Sequence, residues 1–171
     1  MKLFVTLGFE RHSFDRLLKA IDIGIGRGIF PEDTLIQRGY SRYSPYRGKS
    51  VTFLAYDQME SALGAADIVI AHAGVGTLLH CLHMQKIPIL FPRSACRGEH
   101  VDDHQVVFAQ VMEEKKRALV AYDTPQLFHV FQSYPRLVQK IAAASSGNGG
   151  ARLRGYLAHR LSAVNEELRM K

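Results

Sequence analysis

An almost wholly apolar run, Asp67-Ile68-Val69-Ile70-Ala71, leads directly into His72-Ala73-Gly74-Val75-Gly76-Thr77 and then into helical spacing from about Thr77 to Met84. A strand that is apolar on both faces must be buried on both faces, as the central strands of parallel sheets are. The same alternation recurs along the chain. Predicted strands are Leu3–Leu7, Thr34–Arg38, Val51–Ala55, Pro88–Pro92 and Ala118–Ala121. Predicted helices are Phe14–Ile21, with Ser13 as its cap, then Asp57–Ala65, about Val101–Lys115, Pro125–Gln132 and Pro135–Ala144. Gly39–Ser50, rich in Tyr, Arg, Ser and Gly, reads as a loop. Strand–helix–strand alternation is the sequence form of an α/β fold: a Rossmann-like parallel sheet with helices on both faces and right-handed crossovers. Such sheets bind ligands beyond the carboxyl ends of their strands. The polar clusters lie there, after the first strand, after Ala71 and after Pro92.

The chain is expected to hold one α/β domain over residues 1–144, a Ser/Gly/Asn linker at 145–150 and an amphipathic basic helix at 151–171. That helix carries Leu153, Leu157, Leu161, Val164 and Leu168 at helical spacing and a net charge of +3. It either packs back on its own domain or docks on a partner or an anionic membrane face. The formal charge of the whole chain is +6. That favours an anionic partner or serves solubility alone. The basic residues are scattered and not interleaved with aromatics, which argues against nucleic acid. The two cysteines, Cys81 and Cys96, form no CxxC pair, so neither a zinc ribbon nor a thioredoxin-type site is expected. No run approaches the ~20 apolar residues of a spanning helix. A cytoplasmic location follows as the expectation, with any membrane contact made through a partner.

Three segments carry chemistry. In His72–Thr77 a buried strand ends and a helix begins across two glycines. Gly74, Val75, Gly76 and Thr77 would offer backbone N–H groups, a helix amino terminus and a hydroxyl to a diphosphate, or form only a tight turn. Gly98-Glu99-His100-Val101-Asp102-Asp103-His104-Gln105 places oriented donors and acceptors at another strand end, which suits a hydroxyl-rich ligand. Metal is the rival reading, with His100 and His104 one helical turn apart, but an HxHxDH string is absent because Glu99 and Val101 fill the earlier His positions. Asp102 is a candidate cap for the helix that follows. In Thr6–His12, Gly8 opens a loop facing the same crevice, and Arg11 is a candidate phosphate ligand, as are Arg93 and Arg97. The spacing argues against a Cys81–His83 nucleophile pair, since residues i and i+2 do not share a helix face.

Together, HAGVGT, FPR, GEHVDDHQ and the opening TLGFERHSFDRLL resemble the carboxyl-terminal, donor-binding domain of family 28 glycosyltransferases. The likeness runs from Met1 to about Ala144. It is strongest for the small subunits of split UDP-sugar transferases, which serve asparagine-linked glycosylation and bacterial capsule or exopolysaccharide synthesis. The resemblance implies one half of a GT-B fold that holds a UDP-sugar. Gly74–Thr77 would bind the diphosphate, with His72 beside them and the Gly8 loop closing from the other side. His104 and Gln105 would contact sugar hydroxyls. Arg93, His100 and Asp103 belong to the motif without individual roles. His80 stands where many relatives have a ribose-binding Glu. The implied activity is inverting transfer to a lipid-linked saccharide acceptor, with a membrane-associated acceptor-binding subunit supplying the catalytic base. No metal and no cofactor besides the sugar nucleotide is assigned. The alternatives are a scaffold that has lost turnover, kept open by His80, and a Rossmann-like oxidoreductase, disfavoured by the incomplete glycine fingerprint.

Overall fold

A computed structural model describes residues 1–144. The predicted linker and carboxyl-terminal helix lie outside the described residues. In chain order the elements are β1 (Leu3–Thr6), α1 (Asp15–Gly26), β2 (Leu35–Gln37), β3 (Lys49–Val51), α2 (Tyr56–Ala65) and β4 (Ile68–Ala71). Then follow α3 (Val75–His83), β5 (Ile89–Leu90), a 3-10 turn (Ala95–Arg97), α4 (His104–Glu114), β6 (Leu119–Val120), α5 (Thr124–Gln132) and α6 (Tyr134–Ala144).

All six strands pair in parallel, in the order β3-β2-β1-β4-β5-β6. This is the doubly wound Rossmann order, and its strand order reverses between β1 and β4. The apolar runs are buried on both faces because each face carries its own core. Val5, Ile68, Ile70 and Ile89 pack with α1, α5 and α6 on one side. Phe4, Val69, Ala71 and Leu90 pack with α2, α3 and α4 on the other.

Three local expectations shift. The third strand lies at Lys49–Val51 instead of Val51–Ala55. It is an edge strand with no buried residue, so no inward alternation marks it. Phe53, just beyond it, stacks on Phe9 instead of entering the core. Ser13 does not cap α1: its hydroxyl donates to Asp15 and accepts the Arg42 N–H. The fourth helix begins at His104, not Val101, because two aspartates hold the preceding segment in a turn. Asp102 accepts the His104 N–H, and Asp103 accepts the Ala95 N–H and the Ser94 hydroxyl.

The long β2–β3 connection is tied to α1. The buried Asp22 accepts the Tyr46 and Arg47 N–H groups and the Tyr43 hydroxyl. This pushes the Tyr43 phenol up to about 12, through that hydrogen bond first. Lys86 is buried and donates to the carbonyls of Leu63, Gly64 and Ala66, closing the carboxyl end of α2.

Candidate functional site

A crevice of about 670 Å3 opens beyond the carboxyl ends of β1 and β4. Its position is the switch point where Rossmann sheets bind ligands. From the sequence-predicted set, Gly8, His72, Gly74, Gly76, Thr77 and His80 line it. Its remaining wall is largely apolar: Phe9, Leu54, Tyr56, Met59, Leu63 and Leu79. None of these six stood out as a site residue in the sequence. The available signal was Phe9, a large aromatic in a glycine loop; it is 65% exposed.

The floor is built around His72. Its ring wedges between Gly8 and Gly74: a Cβ on Gly8 would lie 2.4 Å from the imidazole, and one on Gly74 only 2.2 Å from Nε2. Gly8 also has φ +70°, the left-handed region. These two glycines therefore make room for an imidazole of the protein itself. Gly76 has open space where its side chain would be, so it leaves backbone bare toward the crevice. The α3 ladder begins with the Leu78 N–H donating to the Gly74 carbonyl. The N–H groups of Val75, Gly76 and Thr77 precede it and carry the positive end of the helix. Among the described residues, His72 Nδ1 is buried without a hydrogen-bond partner. Burial, and then the charge of Arg93, push the His72 imidazole down to about 4. At neutral pH it is uncharged, with one N–H to donate.

The other predicted residues do not line this crevice. Arg93 faces the protein, which corrects the expectation of a phosphate ligand. It is 1% exposed, donates to the carbonyls of Leu7, His12 and Glu99, and lies over the Phe14 ring. One guanidinium thus satisfies three carbonyls from separate segments. Gln105 is buried, and its Oε1 accepts the Arg93 N–H. Arg11, Val75 and Asp103 are exposed, and Asp103 is engaged with the turn at Ser94–Ala95.

His100 and His104 meet, with ring centroids 4.4 Å apart, but not on one helix face: His100 lies in the turn before α4. The β1–α1 loop reaches the same cluster. His12 stacks on His100, and Glu10 contacts both histidines. The hydrogen bond from His12 comes first among the causes that hold the Glu10 carboxyl down at about 2.

One pair escaped the sequence reading. Arg16 grips the Glu99 carboxylate with two bonds of 2.8 Å, donates to the carbonyls of Pro92 and Tyr122, and lies over Phe91. It ties α1 to the ends of β5 and β6 and to the segment bearing His100. On the sequence Arg16 looks like a solvent-facing residue of an amphipathic helix.

Residues 21–125 match the glycosyltransferase family 28 C-terminal domain. The chain belongs to that family. It is 33% identical over 76 residues to the "UDP-N-acetylglucosamine transferase subunit ALG13" of Yarrowia lipolytica, an alignment spanning 44% of this chain and 37% of the relative. Its fold resembles the kitacinnamycin glycosyltransferase, with TM-score 0.58 and 16% identity over 95% of this chain and 39% of the other. It also resembles SnogD from Streptomyces nogalater, with TM-score 0.51 and 16% identity over 92% of this chain and 42% of the other. The family 28 domain described here is thus one half of a GT-B fold, and the chain spans about two fifths of each of these relatives. Among the described residues no helix is long and apolar enough to cross a membrane.

Proposed function

We propose that this family 28 domain is the donor-binding component of a UDP-sugar transferase that is completed by a second chain. The observation that carries the reading is the crevice at the β1/β4 switch point. There the amino terminus of α3, with Gly76 and Thr77 lining the cavity, meets the imidazole of His72. A diphosphate matches these donors. The helix end stabilises its charge, and a neutral imidazole donates without adding one. The likeness to a relative named as a transferase subunit supports a split enzyme.

The chemistry would be direct displacement at the anomeric carbon, with inversion. An acceptor hydroxyl of a lipid-linked saccharide attacks as the bond to the UDP β-phosphate oxygen breaks. The α3 amino terminus takes up the charge developing on the leaving diphosphate. The base that removes the acceptor proton belongs to a membrane-associated partner subunit, which would also recruit this chain to the membrane. His104 and Gln105 would orient sugar hydroxyls from the α4 side, and His80 would meet the ribose.

Calorimetric titration of the protein, alone and with its partner, tests the reading with UDP and several UDP-sugars. Binding of a UDP-sugar is expected. No binding in either state would leave a scaffold that has lost turnover. Gln105→Ala is expected to weaken UDP-sugar binding more than UDP binding, and equal losses would remove Gln105 from the sugar site.

A further inference from the structure

We infer that His100, Asp102 and His104 form a binding site for a divalent transition metal of the zinc class, on the rim outside the crevice. One ligand atom from each of the three lies within 4.8 Å of the others. His100 Nδ1 is 3.4 Å from Asp102 Oδ1, and His104 Nδ1 is 2.5 Å from the same oxygen. Tetrahedral zinc with bonds of about 2.0–2.1 Å holds its ligand atoms about 3.3 Å apart. The first separation already fits, and the second must open by less than about 1 Å as the metal replaces the proton shared there. Asp102 and His104 side chains are 59% and 57% exposed, so they are free to make that adjustment.

A second observation concerns the ring orientation of His100. Its Nδ1 accepts the Asp102 N–H at 3.4 Å, a long hydrogen bond that a metal on Nδ1 would displace. Its Nε2 lies 3.5 Å from Glu10 Oε2. A carboxylate behind the far nitrogen of a ligating histidine is how metal sites fix the tautomer and raise basicity. Two imidazoles and one carboxylate select zinc, nickel or copper over magnesium or calcium, and solvent supplies the fourth position. A metal here would join the β1–α1 loop, through Glu10, to the turn before α4. Where His104 serves the donor, as proposed above, the two uses of its ring exclude each other.

The test is zinc titration of the full chain against a chromophoric chelator, without donor, so that it succeeds or fails independently of the transferase reading. One zinc per chain is expected at micromolar concentration. Cobalt in its place should give the intense visible absorption of a tetrahedral site. His104→Ala and Asp102→Ala, both exposed and checked for fold by circular dichroism, should each lower affinity more than tenfold. Glu10→Gln, which neutralises the outer carboxylate, should lower it about tenfold. His83→Ala, an exposed histidine outside the cluster, should change nothing. Failure to bind zinc would overturn the proposal, as would parental affinity in His104→Ala and Asp102→Ala or displacement by millimolar magnesium.

Discussion

Acidification from pH 7 to pH 5 is expected to destabilise the domain by about 2 kcal/mol through His72 alone. The unfolded imidazole titrates near 6.5, whereas in the folded protein burial, and then Arg93, depress it to about 4. Between those values the unfolded chain binds a proton that the folded chain refuses. Stability is therefore fully present above about 6.5, falls as the pH drops through this window, and levels off below about 4. The whole shift corresponds to about 3 kcal/mol, most of it lost by pH 5. The structural cause is the burial of the ring, which is packed against Gly8 and Gly74. Urea denaturation of the parent and of His72→Asn at a series of pH values isolates the effect, because the other titrating groups are common to both. The parent should lose about 2 kcal/mol more than the variant between pH 7 and 5. The His72 ring signal in proton NMR should remain that of neutral imidazole down to pH 5. Parallel stability curves, or a His72 midpoint near 6.5, would refute the reasoning.

The glycines should separate by thermal melting. Gly74→Ala and Gly8→Ala drive a methyl into His72 and are expected to cost about 2–4 kcal/mol, more for Gly8 because of its positive φ. Gly76→Ala meets open space inside a helix and should be neutral or stabilising by up to about 1 kcal/mol, while weakening UDP binding. Arg16→Ala strands a Glu99 carboxylate whose side chain is 8% exposed, and should cost about 3 kcal/mol by denaturation. Arg16→Lys should not restore the loss, since one ammonium cannot reproduce the two-bond grip and both carbonyl contacts. A thiol reagent should titrate one cysteine in the native protein and two after unfolding. Cys96 is exposed, whereas burial pushes the Cys81 thiol up to about 12.

The sequence by itself determined most of the strands and helices of residues 1–144, the edge strand β3 excepted, and that the sheet is parallel and covered on both faces. Ile68–Ala71 and Ile89–Leu90 are apolar at every position, which only a doubly covered strand requires. It also marked Gly8, His72 and the Gly74–Thr77 turn, because glycines at a strand end are a local signal. Partner choice was decided by the tertiary structure. Nothing local states that β1 lies beside β4, yet that neighbourhood brings Gly8 to His72 and opens the crevice. The spacing of His100 and His104 correctly implied proximity, but a turn held by aspartates produces it, not a helix face. Arg93 reads as a phosphate ligand and Arg16 as a surface cation until the strand ends converge and offer them carbonyls and a carboxylate up to 106 residues away. Periodicity records whether a side chain is buried. Which groups it meets there depends on elements remote in the chain, and for a polar side chain that meeting separates a ligand contact from a structural tie.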